Sequence, residues 1–197
     1  MGQNIYIYHD GEAGVIIDAG CSDADIQAIK SFLAENNIEV RAILLTHGHF
    51  DHIIGLDKLK NLTSAQTLCH EAEKQMIESP EINLSITTGQ NISVTANRFF
   101  EDGDFFIIGD TTLKVIHTPG HTKGGVCYYD EKNGNIFTGD TLFHESIGRT
   151  NFPGGNHQEL IASINEKIIT QPDNVNVYPG HGQSSTIAHE KRRNPFI

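Results

Sequence analysis

One run of six residues constrains this chain more than anything else in it: His47-Gly48-His49-Phe50-Asp51-His52. Four side chains of metal-ligand type this close together cannot all face a dry core, because each one buried without a partner costs free energy. On a loop leaving a strand they can converge on a cation. Imidazole and carboxylate together suit zinc, iron or manganese. The apolar run Val40 to Leu45 precedes the motif and reads as a strand buried on both faces. Gly48 lets the backbone turn tightly between ligands. Three later residues share a context: each ends a strand-like run at a turn. His121 follows Thr118-Pro119-Gly120, Asp140 follows Thr138-Gly139, and His181 follows Tyr178-Pro179-Gly180. A rigid scaffold presents functional side chains in this way.

The rest of the chain alternates strands and helices. Ile5 and Ile7, then Val15 to Ile17, flank a turn at Asp10-Gly11. Ile26, Ile29, Phe32 and Leu33 recur at helical spacing behind a cap at Asp23, and Asn36-Asn37 end that helix. A short helix is expected after His52, a strand over 63–69 and a helix over 73–77. Hairpins are expected over 105–117 and 126–138, a helix over 158–169 and a last strand over 175–178. Residues 79–100 carry no usable pattern. Neither a repeat nor a low-complexity linker divides the 197 residues, which fit one domain, 1–197.

Composition narrows the function. A net charge of -11 repels nucleic-acid backbones. The one basic cluster, Lys191-Arg192-Arg193, reads as a solvated segment. No apolar run is long enough to span a bilayer, and Met1 to Asp10 lacks a signal-peptide pattern, so a cytoplasmic protein is expected. Cys21, Cys69 and Cys127 read as buried, reduced thiols. Of eleven histidines, His9, His70, His117, His144, His157 and His189 lie outside the motifs and are expected not to ligate. His144 stands apart because it follows Asp140 so soon. Asp18 reads either as a turn residue or as a carboxylate orienting a ligand.

The HxHxDH run, with His121, Asp140 and His181 in that order, resembles the metallo-β-lactamase superfamily over nearly the whole chain. The strands come as hairpins with helices interspersed, which supports two mostly antiparallel sheets flanked by helices; the resemblance implies an α+β fold, a four-layer αβ/βα sandwich with the site at one edge of the sheets. It implies that His47, His49 and His121 hold one metal ion, that Asp51, His52 and His181 hold a second, and that Asp140 bridges both. Two divalent ions are therefore expected, zinc first, with iron or manganese accepted by the same ligands. Such a pair lowers the pKa of bound water to about 7 and polarises the substrate oxygen. Asp51 doubles as the catalytic residue that holds the nucleophile.

Within that family, Gly139-Asp140-Thr141-Leu142-Phe143 and Ser146-Ile147-Gly148-Arg149-Thr150 resemble glyoxalase II and its shorter relatives. The resemblance implies hydrolysis of a small thioester such as hydroxyacyl-glutathione, with Arg149 as a substrate-binding cation. A thiolate leaves with a pKa near 8.5 and needs little protonation. Two departures bear on glutathione: Asn151 stands where an aromatic residue is expected, and the sixteen residues after His181 are too few for a helical C-terminal glutathione-binding domain. Three rivals stand beside this reading. One is a mononuclear iron persulfide dioxygenase using His47, His121 and Asp140. Another is a lactonase or β-lactamase. The third is a non-catalytic metal-binding or redox module.

Overall fold

The computed structural model describes residues 2–197. Strand β1 (Tyr6–His9) pairs antiparallel with β2 (Ala13–Ile17), and helix α1 (Asp23–Asn36) follows. Its cap is Ser22, one residue before the expected Asp23: the Ser22 hydroxyl accepts from Asp25 N–H, and the Asp25 carboxylate accepts in return from Ser22 N–H. Strand β3 (Glu39–Leu44) leads into α2 (Phe50–Ile53) and α3 (Leu56–Thr63), then β4 (Gln66–His70) and α4 (Lys74–Glu78). The patternless stretch contains a short 3-10 turn, Ser85–Thr88, and strand β5 (Arg98–Phe100). Strands β6 (Phe105–Ile108), β7 (Thr111–His117), β8 (Val126–Asp130) and β9 (Asn135–Gly139) form a meander. A tight hairpin of β10 (Leu142–Phe143) and β11 (Ser146–Ile147) precedes α5 (His157–Ser163), whose last turns widen to a π-helix over Ile164–Ile168. Strands β12 (Asn176–Pro179) and β13 (Ser185–Thr186) and helix α6 (Ile187–Arg193) complete the chain.

Three buried clusters define four layers. Ile16, Ile43 and Cys69 face α1 and α3; Val15, Ile17, Leu44, Val115, Tyr128 and Phe137 fill the space between the sheets; Cys127, Ile136 and Val177 face Leu160, Ile164 and Ile187. Neighbouring residues of one strand thus serve opposite faces, as the period of two requires. Each fully buried Ile, Leu or Val contributes about 1.5–3 kcal/mol. All three cysteines are buried and free. No helix among the described residues is long and apolar enough to cross a membrane.

The sheets correct one expectation. The second sheet, in the order β13-β12-β9-β8-β7-β6, is mostly antiparallel, but the first, β1-β2-β3-β4-β5, is not. Its β2–β3, β3–β4 and β4–β5 pairs are all parallel. The cause is connectivity: helices or long crossovers separate these strands, and a crossover returns the chain in the same direction. Strand β3 is also buried on both faces only in its second half, since Glu39 and Arg41 are exposed. Lys191 to Arg193 form the last turn of α6, where Lys191 Nζ meets Asp173 Oδ1 at 2.6 Å.

Candidate metal centre

The strand ends of the two sheets meet at one edge, and there the structure gathers all seven sequence-predicted ligands. His47, His49 and His121 bring one ligand atom each within 4.8 Å of one another; so do Asp51, His52 and His181, and so do His47, His52 and Asp140. Asp140 lies between the groups. Its Oδ1 is 3.3 Å from His52 Nε2, and its Oδ2 is 3.5 Å from His121 Nε2 and 3.7 Å from His181 Nε2. Asp51 Oδ2 is 3.2 Å from His181 Nε2.

The residues fit a cation on direct evidence. His47, His49 and His52 each keep a buried Nε2 without a hydrogen-bond partner, and Asp140 keeps a buried Oδ1 in the same state. Buried polar atoms are otherwise almost always paired. His49 Nδ1 and His121 Nε2 also face each other at 2.9 Å, where at most one can carry a proton.

Outer atoms fix the rings. His52 Nδ1 donates to Asp18 Oδ2 at 2.8 Å, His121 Nδ1 donates to Arg149 O at 2.6 Å, and His181 Nδ1 donates to Gly2 O at 3.1 Å. Each ring thereby turns its Nε2 towards the centre. Asp18 orients His52, one of the two roles its sequence context allowed. Just past β2 it holds a left-handed φ of 62°, and its carboxylate also accepts from Thr46 N–H at 2.7 Å and the Thr46 hydroxyl at 2.8 Å.

The charge states of five of the seven, His47, His49, His121, Asp51 and Asp140, suit ligands directly. Burial holds His47 and His121 below the ordinary imidazole range and His49 down at about 3, so these three are neutral. Burial opposes ionisation of Asp51 and Asp140, yet neighbouring imidazoles hold both below their usual range, Asp51 at about 2. Burial also opposes a charge on His52, but Asp18 and Asp140 raise it well above 6.5. The hydrogen bond to Asp51 raises His181 as well. The field that draws protons to His52 and His181 is one that attracts a metal cation.

Two glycines are there for space. Gly48 does not adopt a positive φ, so the expected tight-turn role gives way to close approach: a Cβ would lie 2.8 Å from Ile77 Cγ2 and 3.1 Å from Glu73 Oε2. A Cβ at Gly180 would collide with the Asp140 carboxylate and the His52 ring.

Sequence reasoning missed Glu73. Its fully buried carboxylate accepts from Gly48 N–H at 2.6 Å and Gly124 N–H at 2.7 Å, tying the HxHxDH loop to the loop that carries His121. Its partners are backbone amides distant in sequence, so no motif marks it. Also missed were the walls of the cleft over the centre, about 440 Å³, where Leu84, Thr87, Thr88, Phe143 and Phe152 join Arg149 and the ligands. Arg149 is exposed, its Nε donates to Asn151 Oδ1 at 3.2 Å, and its guanidinium lies 4.3 Å from the centroid of the Phe152 ring. The aromatic neighbour absent at Asn151 is supplied by the next residue. His144 and His189 lie apart from this centre, in a group of their own with Glu145.

A family model described as the metallo-beta-lactamase superfamily matches residues 1–181. A probable metallo-hydrolase of Streptococcus pyogenes is 37% identical, covering 100% of this chain and 86% of its own length. The hydroxyacylglutathione hydrolase GloC of Haemophilus influenzae is 32% identical over 97% of this chain and 90% of its own. Among solved structures, the BLEG-1 B3 metallo-beta-lactamase is similar at TM-score 0.91 with 39% identity, covering 98% of this chain and 93% of that one. TTHA1623 in a di-iron-bound form is similar at TM-score 0.87 with 31% identity, covering 100% and 98%.

Proposed function

Since this chain belongs to the metallo-β-lactamase superfamily and is a metal-dependent hydrolase of it, we propose that it hydrolyses small thioesters, hydroxyacyl-glutathione or a close analogue, at two divalent ions. His47, His49 and His121 would hold one ion and Asp51, His52 and His181 the other, with Asp140 within reach of both groups. Bound there, the ions supply a water that is nucleophilic at neutral pH and a Lewis acid for the carbonyl oxygen. Asp51, ionised and lining the cleft, accepts a hydrogen bond from the attacking water and orients it. Leu84, Phe143 and Phe152 give the acyl group apolar walls. Arg149 is the single Lys or Arg lining the cleft and faces a carboxylate of the thiol portion.

The observation that carries the choice of a thioester is the make-up of this cleft. Apart from the ligand side chains, its lining offers two threonine hydroxyls, apolar groups and one guanidinium, none of them a general acid near neutrality. A thiolate departs without one, whereas an amine does not. The name of the Haemophilus influenzae relative supports the same reading. A second reading, lactam hydrolysis, is favoured by the likeness to BLEG-1. The test is S-lactoylglutathione assayed beside a chromogenic cephalosporin. A kcat/KM for the thioester at least about a hundredfold higher is expected; the reverse order would overturn the proposal. Arg149→Ala is expected to raise KM for S-lactoylglutathione about tenfold, since an exposed charge-assisted contact is worth about 1.4 kcal/mol, and to leave kcat within about twofold. An unchanged KM would remove Arg149 from substrate binding.

A further inference from the structure

One other trio of donors converges among the described residues. His144, Glu145 and His189 each place a ligand atom within 4.8 Å of the other two. Glu145 Oε1 and His189 Nε2 are 2.9 Å apart, and the imidazoles of His144 and His189 stack with centroids 4.7 Å apart and planes 25° apart. The donors come from two elements, the β10–β11 turn and helix α6. A buried frame brings them together. Glu190, fully buried, accepts from Glu145 N–H at 2.9 Å, from Asn194 Nδ2 at 2.9 Å and from the Ser185 hydroxyl. Asn194 Nδ2 also donates to Ser146 O at 3.0 Å. The turn is thus gripped on both sides, with Glu145 held at φ 53°, a conformation a non-glycine residue rarely adopts. No part of this frame touches the catalytic cleft, and the proposed reaction does not use it.

We propose that His144, Glu145 and His189 form a further transition-metal site that staples α6 to the β10–β11 turn. Two imidazoles and a carboxylate suit zinc, and three protein ligands leave a fourth position for water. Tetrahedral zinc with bonds of about 2.0–2.2 Å holds its donors about 3.4 Å apart, so small side-chain rotations close the trio around it. The side chains of His189 and Glu145 are 34% and 46% exposed, which makes the ion exchangeable. The hairpin it pins carries Phe143 and leads to Arg149, both lining the cleft.

Zn²⁺ alone is the probe, titrated by calorimetry into protein purified with its own metals and dialysed free of excess. The wild type is expected to take up one equivalent more than either His144→Ala or His189→Ala. Its Tm should also rise about 5 °C at a hundredfold excess of zinc over Kd, a rise both variants lack. Should His189→Ala disturb α6, His144→Ala, which lies outside the Glu190 frame, gives the same reading. Equal zinc uptake by the wild type and His144→Ala, or no zinc-dependent rise in the wild-type Tm, would overturn the site.

Discussion

Asp140→Asn is expected to lose at least one metal ion per chain and about a thousandfold in kcat/KM while the fold survives. Asp140 stands between the two groups of ligands, with one oxygen 3.3 Å from His52 Nε2 and the other 3.5 Å from His121 Nε2 and 3.7 Å from His181 Nε2. Two cations held by these groups would repel each other, and an anion lying between them would offset that repulsion most directly. Asparagine keeps the shape and removes the charge. Metal ions supply several kcal/mol of transition-state stabilisation, and losing about 4 kcal/mol of it is a thousandfold in rate. The fold should tolerate the change because Asp140 Oδ1 makes no hydrogen bond that folding depends on. Elemental analysis, circular dichroism and kinetics on one preparation check all three statements. Full metal content with full activity would contradict them.

Asp18 is expected to give the second large effect, and two substitutions there separate its duties. The carboxylate accepts from Thr46 N–H and from His52 Nδ1–H at once. In Asp18→Asn the amide oxygen can still serve Thr46, but the amide nitrogen then faces His52 Nδ1. His52 must accept there and carry its proton on Nε2, the atom that faces the centre. Metal affinity should fall about 10–100-fold with little change in stability. Asp18→Ala instead leaves a buried amide and a buried ring without their partner. That costs about 3 kcal/mol, or roughly 8 °C in Tm for a chain of this size. If both variants lose stability equally and keep their metal, Asp18 is a turn residue and nothing more.

The candidate ligand set was legible because each of its members sits in a local motif. Four of the seven lie in one run, and the other three follow turns that a single sequence displays. What orients them was legible only at Asp18, read as a turn residue or a carboxylate orienting a ligand. Glu73 and the Arg149 carbonyl act through partners that only the folded chain brings near. The stretch 79–100 had no period because side chains organise it: Asn83 Nδ2 donates to Ile92 O, its Oδ1 accepts from Ser85 N–H, and the Ser85 hydroxyl accepts from Ile92 N–H. That network places Leu84, Thr87 and Thr88 in the cleft wall. The parallel pairs of the first sheet were within reach, since a helix lies between β2 and β3 and two more between β3 and β4. Reading the strands as hairpins passed over what those helices dictate. Gly48 shows the opposite limit: its presence was noticed, but its reason, the closeness of Ile77 and Glu73, comes from a helix distant in sequence.

The central claim is a pair of metal ions serving thioester hydrolysis. The measurement that reaches it most directly is metal content per chain, by elemental analysis of protein purified without chelator and cleared of exchangeable ions, with S-lactoylglutathione turnover recorded on the same sample. Two tightly held ions per chain, with hydrolysis lost on their removal and regained on their return, is the expected result. A single iron with oxygen uptake and no hydrolysis would contradict it.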